Sequence, residues 1–457
     1  MKNLVNIHFL GAAGTVTGSK FLLETPWMNI LVDCGLFQGL KELREFNWKA
    51  FPFPPEKIDL ILLTHGHLDH TGYLPKLVKE GFKNDILGTS PTLAIAEIIL
   101  TDSARIQEED ARRANEEHYS VHQPALPLYD EKDVEQTIRL FKSVRTEEWI
   151  DISEKVKLRF RRNAHILGAT FIELNLNGKI FVFSGDIGRK DDLLLEAPLQ
   201  PQYADYLFLE STYGDRLHPQ EDADSILASA INNTISRRGT LIIPGFAVER
   251  LQTLMYKIYS GYQKNKIPRI PVYIDSPMGN EVFKVFSRYM SWHKLNTEDF
   301  KKMKKFFRII TSYKDTWKTI EDPQPKVVIA GSGMVTGGRV LTYLRFYLEK
   351  PETTVLLVGF QAEGTKGRQL QEGVPDVKIF GKYYQVKAEI KTINSLSAHA
   401  DQAGLLEWLS ELQADPIRIF LVHGEKKAAD VLRVKIKDQD AWHAEIPHLG
   451  ETISLAV

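Results

Sequence analysis

At 457 residues the chain exceeds the size at which one hydrophobic core keeps growing, so more than one domain is expected. Its 58 basic and 59 acidic side chains leave a net charge of −1, which excludes a global pull toward polyanions and confines any such site to local clustering. A single cysteine, Cys34, excludes an internal disulfide and any cysteine-built metal module, and fits a reducing, cytoplasmic setting.

In chain order, β-rich runs come first: Asn3–Leu10, Ser19–Glu24, Asn29–Val32 and Asp59–Thr64, each bounded by Gly, Pro or Asn. Nothing at the N-terminus has the charged start and apolar core of a signal peptide, and no run approaches the roughly 20 apolar residues of a membrane span. Apolar spacing predicts helices over Thr92–Asn115 and Asp130–Phe141. Strands return at Lys155–Arg162, Ala169–Asn175 and Lys179–Ser184, the last two joined by the hairpin signal Asn177-Gly178. After Glu210 the pattern changes. Strands at Thr240–Pro244, Val272–Ile274, Lys326–Ala330 and Thr354–Gly359 alternate with helices starting near Ala247, Glu281 and Gly338, which implies a parallel sheet covered by helices. The runs Ile417–Val422 and Thr452–Ala456 resemble the first part again.

The chemistry concentrates in Thr64-His65-Gly66-His67-Leu68-Asp69-His70, directly after the apolar run at 59–63. A loop leaving a buried strand is rigidly held, and imidazole with carboxylate is the donor set zinc takes when thiolates are lacking. Three more potential ligands sit at or beside strand ends: His165, Asp186 and His423. Each alone is weak, since a lone His after a strand is more often structural. Together the seven suffice for two metals, with Asp186 available as a bridge. Two such metals would share a hydroxide and neutralise charge on a phosphoryl or acyl group.

These residues resemble the β-CASP branch of the metallo-β-lactamase superfamily, whose members process RNA or DNA. Gly11-Ala12-Ala13-Gly14-Thr15-Val16-Thr17-Gly18-Ser19 looks like its opening loop, Val32-Asp33-Cys34-Gly35 its first motif, and the histidine run its second. His165 and Asp186 match the third and fourth. Leu209-Glu210-Ser211-Thr212-Tyr213-Gly214, Ser397-Ala398-His399-Ala400-Asp401 and Val422-His423-Gly424-Glu425 resemble the branch-specific motifs A, B and C. The resemblance implies an α/β chain: a metallo-β-lactamase αββα sandwich (1–209 and 386–457) interrupted by an inserted β-CASP domain (210–385) with a parallel sheet flanked by helices. It implies two Zn2+ per chain, one held by His65, His67, His165 and Asp186, the other by Asp69, His70, His423 and the bridging Asp186. Asp33 would orient a ligand histidine by hydrogen bond.

Asp69, Glu210 and His399 form the expected catalytic set, His399 as general acid or donor to the scissile phosphate, Glu210 holding its ring or carrying its proton. The plainer reading of Glu210 is a structural carboxylate. The glycine-rich loop Gly331–Arg339 lacks dinucleotide spacing; Ser332, Arg339 and Ser397 are candidate phosphate contacts, against simple tight packing for that loop. Arg105, Arg112 and Arg113, interleaved with acids, and the Lys301–Lys305 run read as solvated helix faces. Cys34 reads as a small buried residue, not a nucleophile.

The expected function is a zinc-dependent ribonuclease cutting single-stranded RNA by attack of a zinc-bridging hydroxide, leaving 5′-phosphate and 3′-hydroxyl ends. A DNA nuclease of the same branch, a small-molecule metallo-hydrolase and a metal-free RNA-binding scaffold are the alternatives. A homodimer is a possible source of extra RNA-binding surface. Endonuclease and 5′-exonuclease modes use the same metal chemistry.

Overall fold

The computed structural model describes residues 4–117, 122–245, 248–359, 361 and 364–457. The chain divides into two compact units, Met1–Leu217 with His399–Val457, and His218–Ala398.

The first unit contains two seven-stranded sheets. One runs in the order Thr452–Ala456, Leu4–Phe9, Phe21–Glu24, Asn29–Val32, Leu60–Leu62, Ile86–Thr89, Phe141–Val144, antiparallel up to Asn29–Val32 and parallel beyond. The other runs Ala444–Glu445, Arg418–Val422, Tyr206–Glu210, Lys179–Phe183, Thr170–Leu176, Val156–Arg162, Ile150–Asp151. Its first four strands are mutually parallel. The side-chain period of two explains why these strands read as unbroken apolar runs. Phe181, Phe183, Tyr206, Phe208, Phe420 and Val422 enter the core between the sheets. Val182, Leu207, Leu209, Ile419 and Leu421 face the opposite side, where the helices Gln402–Leu409 and Lys426–Asp440 contribute Trp408, Leu432 and Ile436. The outer face of the first sheet is covered likewise, with Leu74, Leu93, Leu100 and Val134 from three helices. The result is the expected αββα sandwich. Phe183 and Phe208 stack at 4.2 Å across neighbouring strands, and each fully buried side chain of this size contributes about 1.5–3 kcal/mol.

Helix Ser90–Glu116 begins where Thr89 accepts the Thr92 N–H, and its charged end is a solvated face: Arg105 pairs with Glu131, Arg113 with Glu109 and Arg112 with Glu116. No described helix is long and apolar enough to cross a membrane.

The second unit carries a six-stranded, all-parallel sheet in the order Arg308–Ile309, Val272–Asp275, Lys326–Ala330, Thr240–Pro244, Thr354–Val358, Glu389–Ile393, as the alternating pattern implies. Helix Pro277–Arg288 starts earlier than expected because Ser276 caps it, accepting the Gly279 N–H. The helix expected from about Ala247 is Arg250–Gln263; Phe246 and Ala247 of its preceding loop, and Phe360, lie outside the described residues. Helix Thr297–Phe306 exposes its lysines and buries Phe300 and Met303.

The unit boundaries fall later than 210 and 386. Tyr206–Glu210 is an interior strand of the first unit, paired on both sides, so Glu210 belongs there. Glu389–Ile393 pairs with Thr354–Val358, so the chain returns to the first unit only at His399.

Candidate active site

All seven expected ligands, with Asp33, Glu210 and His399, lie in the first unit. Most leave the C-terminal ends of parallel strands, the edge where such sheets present polar groups. Asp33 follows Asn29–Val32, the histidine run follows Leu60–Leu62, Asp186 follows Lys179–Phe183, and His423 follows Arg418–Val422. The turns are packed too tightly for side chains at two points. A Cβ on Gly35 would meet the Asp69 carbonyl oxygen at 1.5 Å, and one on Gly188 the Ala164 backbone at 2.0 Å.

Ring nitrogens converge. His67 Nδ1 lies 3.1 Å from His65 Nε2 and 3.2 Å from His165 Nε2, and Asp186 Oδ2 lies 3.4 Å from both of those Nε2 atoms. Asp186 Oδ1 faces the other group, 3.3 Å from His70 Nε2, which is itself 3.1 Å from His423 Nε2. Asp69 Oδ2 completes that set, 3.5 Å from His423 Nε2. Asp186 therefore sends one oxygen to each cluster.

Neutral imidazoles with lone pairs at these separations repel unless a cation stands among them. Burial holds His65 and His165 well below the ordinary histidine range and His67 down to about 4, which keeps their lone pairs available. The buried His165 Nδ1 has no hydrogen-bond partner among the described residues. Three histidines with a carboxylate, and two histidines with two carboxylates, are donor sets that fit zinc.

His70 differs. Burial disfavours its charge, but the carboxylates of Asp186 and Asp33 outweigh that and hold it well above its ordinary value. Asp33 Oδ2 accepts the His70 Nδ1–H at 2.7 Å, leaving Nε2 to face the cluster. Asp33 is fixed in turn by the Thr64 N–H at 2.8 Å and the Thr64 hydroxyl at 2.9 Å. For His70 Nε2 to hold a metal, its ring would have to give up that extra proton.

Several supporting residues escaped the sequence reading. Thr212 donates its hydroxyl to the His423 carbonyl at 3.0 Å, and its oxygen lies 3.2 Å from His423 Nδ1, able to accept that ring N–H. Buried Asn163 donates to the carbonyls of Ser184 and Asp186, both at 2.6 Å, bracing the turn that carries the bridging carboxylate. Lys20, fully buried, donates to the carbonyls of Gly18 and Gly35. The first two resemble ordinary strand-end polar residues in sequence. Only Lys20, a cation in an otherwise uncharged run, gave a signal.

His399 hangs beside the cluster on the backbone after Asp186: Gly188 bridges His399, and the Ala400 N–H donates to Ile187 O at 2.7 Å. Its Nε2 lies 4.0 Å from Asp186 Oδ2, and Nδ1 is 3.2 Å from Glu210 Oε1. Burial opposes a charge on this ring, but Glu210 beside it, with Asp186 and Asp69, raises it above its ordinary value. Glu210 is fully buried and oriented by the N–H groups of Ile187 at 2.6 Å and Thr212 at 3.3 Å. Cys34 is buried, its thiol pushed up to about 12 by that burial, so it is no nucleophile.

Ser332, Arg339 and Ser397 belong to the inserted unit. Arg339 is committed within it: Nη1 lies 2.9 Å from Asp275 Oδ1 and 2.6 Å from Thr316 Oγ1, and the guanidinium stacks 4.1 Å over Tyr313. The buried carboxylate at the end of strand Val272–Asp275 needs that cation, which gives Arg339 a structural duty within its own unit. Ser332 likewise turns its oxygen to the N–H groups of Thr336 and Gly337 within its own loop.

Residues 21–219 match the metallo-β-lactamase superfamily, 251–370 the β-CASP domain, and 383–447 a zinc-dependent metallo-hydrolase RNA specificity domain. The chain is 34% identical over 424 residues to ribonuclease TTHA0252 of Thermus thermophilus, covering 91% of this chain and 92% of that one. It is 30% identical to the transcription termination factor FttA of Methanosarcina mazei, covering 93% of this chain and 67% of the relative. A crystal structure of a protein of unknown function from Enterococcus faecalis V583 shares the fold, with a TM-score of 0.55 at 11% identity over 99% of this chain and 100% of that one.

Proposed function

Because the chain belongs to the β-CASP family of metallo-β-lactamase-fold nucleases, we propose that it is a zinc-dependent ribonuclease that hydrolyses phosphodiester bonds of single-stranded RNA. Two zinc ions per chain fit the two clusters, with Asp186 between them. Zinc bound there lowers the pKa of water toward neutrality and neutralises phosphoryl charge.

The chain's own residues supply the rest. Asp33 and Thr212 fix the rings of His70 and His423, so that each presents its Nε2. Glu210 accepts the Nδ1–H of His399 and leaves Nε2 as the proton donor to the departing 3′-oxygen, while the attacking oxygen remains on the 5′-phosphate. The Glu210 carboxylate beside the ring, with Asp186 and Asp69, favours its protonated form against the opposing effect of burial. Its side chain is 18% exposed, open enough to be reached by a strand.

The observation that carries the reading is the His399–Glu210 pair beside seven convergent metal ligands. A generic metallo-hydrolase needs the ligands but has no use for the pair. The test is cleavage of an end-labelled single-stranded RNA by zinc-loaded wild type, Asp69→Ala and His399→Ala, with metal content measured on each. Asp69→Ala should lose zinc and activity; His399→Ala should keep zinc and lose about 10²–10⁴-fold in kcat. Wild-type rates from His399→Ala would sink the general-acid role.

A further inference from the structure

Beyond Asp33 the chain hugs the metal-ligand loop: the Cys34 N–H donates to His70 O at 2.7 Å and the Leu36 N–H to Leu68 O at 3.1 Å. It then leaves as a closed surface loop. The buried Asn47 side chain ties the loop's ends, accepting the Phe37 N–H at 2.9 Å and donating to Phe37 O at 2.8 Å. A second tie runs from the Tyr73 hydroxyl to Lys49 O at 3.3 Å, and Tyr73 follows His70 by three positions. Compact loops fastened at both ends in this way are commonly functional.

The short helix inside this loop, Lys41–Phe46, buries none of its residues, yet its surroundings are not polar. Leu40 is 59% exposed, Phe46 39% and Trp48 60%. Tryptophan is usually among the most buried side chains, and neighbouring exposed apolar groups mark contact surfaces. Lys41, Arg44 and Lys49 of the same stretch are exposed, Lys49 with its ammonium 4.1 Å over the Phe46 ring; Glu42 and Glu45 are the acids nearby in sequence, Glu45 3.9 Å from Lys41. An open indole in a stretch that also carries three exposed cations offers what an unpaired nucleotide requires, a stacking face for the base and positive charge for the phosphate.

We infer that the loop Leu40–Lys49 is a stacking platform for an unpaired base of the RNA strand whose phosphodiester enters the metal centre, with Trp48 as the base contact and Lys49 facing the backbone; this rests on the ribonuclease reading. The ties to His70 and Tyr73 fix the platform against the metal-ligand loop, so a base stacked there positions the strand. A protein partner or a second copy of this chain would need the same apolar face but gives no reason for a loop fastened beside the metal-ligand loop.

The test uses zinc-loaded full-length protein and an oligoadenylate of about 12 nucleotides with phosphorothioate linkages, a length within the usual span of single-strand sites. Trp48→Ala should weaken binding about five- to hundredfold and Trp48→Phe much less, the loss appearing in KM on cleavable RNA. In a series with one abasic site moved along the strand, one position should make wild type and Trp48→Ala bind alike. Affinity of Trp48→Ala equal to wild type on every oligonucleotide would overturn the platform, as would a loss that no abasic position abolishes. Conversion of a dimer to a monomer by Trp48→Ala, with RNA affinity unchanged, would overturn it in favour of self-association. Wild type that cleaves RNA while Trp48 is indifferent defeats only the platform; zinc-loaded wild type that cleaves no RNA defeats the ribonuclease reading.

Discussion

His423 occupies the left-handed region at φ +48, where a bulky side chain is disfavoured. Three neighbours hold it there: Ala12 O accepts its N–H, the Thr212 hydroxyl donates to its carbonyl, and Gly424 packs onto Ser211, whose Oγ would stand 2.2 Å from any added Cβ. Thr212 is therefore a positioning residue for the ring. Thr212→Val, which keeps the shape and removes the hydroxyl, should weaken zinc retention about 10–100-fold in chelator competition, and Thr212→Ser should restore most of it. Cys34 gives a simpler test: in native protein near neutral pH it should not react with a thiol reagent, whereas denaturant should release one reactive thiol. At this scale the candidate ligands were legible because imidazoles and carboxylates at strand ends are scarce and chemically distinctive. Thr212 and Asn163 were not, since their partners are backbone groups that only strand pairing brings near.

At the scale of elements, sheets buried on both faces advertise themselves as apolar runs, which is why Lys179–Phe183 and Arg418–Val422 were found from pattern alone. Glu389–Ile393 misled for the opposite reason. It is an edge strand, half-buried through most of its length, and its mixed sequence carries no sign of which sheet it joins. The loop at Gly331–Arg339 shows a related limit: its composition suited an anion site, but composition could not reveal Asp275 beneath it. Arg339→Met should strand that carboxylate and cost about 3–5 kcal/mol of stability in denaturant unfolding, while Arg339→Lys should cost less. A phosphate-binding role would instead leave stability intact and weaken RNA affinity.

For the molecule as a whole, metal and proton compete for one site. His70 has its pKa raised in the metal-free fold, so its stabilising contribution is full below its ordinary value of 6.5 and fades as pH rises through the raised value. Zinc must displace that proton, whereas His65, His67 and His165 have their pKa values lowered and are already neutral near pH 7. Zinc binding should therefore release a proton, seen as a calorimetric heat that varies with buffer ionisation enthalpy. The gap in thermal midpoint between zinc-loaded and chelator-treated protein should widen from about pH 6 to about pH 8. A gap independent of pH would count against His70 as a ligand.

The first unit is assembled from two stretches of chain separated by the whole of the second, and the strand Leu4–Phe9 takes Thr452–Ala456 as its antiparallel partner. Ribosomes add about 5–20 residues per second, so the opening strand must wait for the closing one, and pairings this remote in sequence form slowly. His399 and His423 also emerge only after the whole of the second unit has been synthesised. A nascent chain that has not reached them, however long it dwells beside the messenger being translated, therefore lacks part of the candidate ligand set and the proposed general acid. On the ribonuclease reading, cleavage is withheld until the second unit has been made, by chain order alone and without an inhibitor.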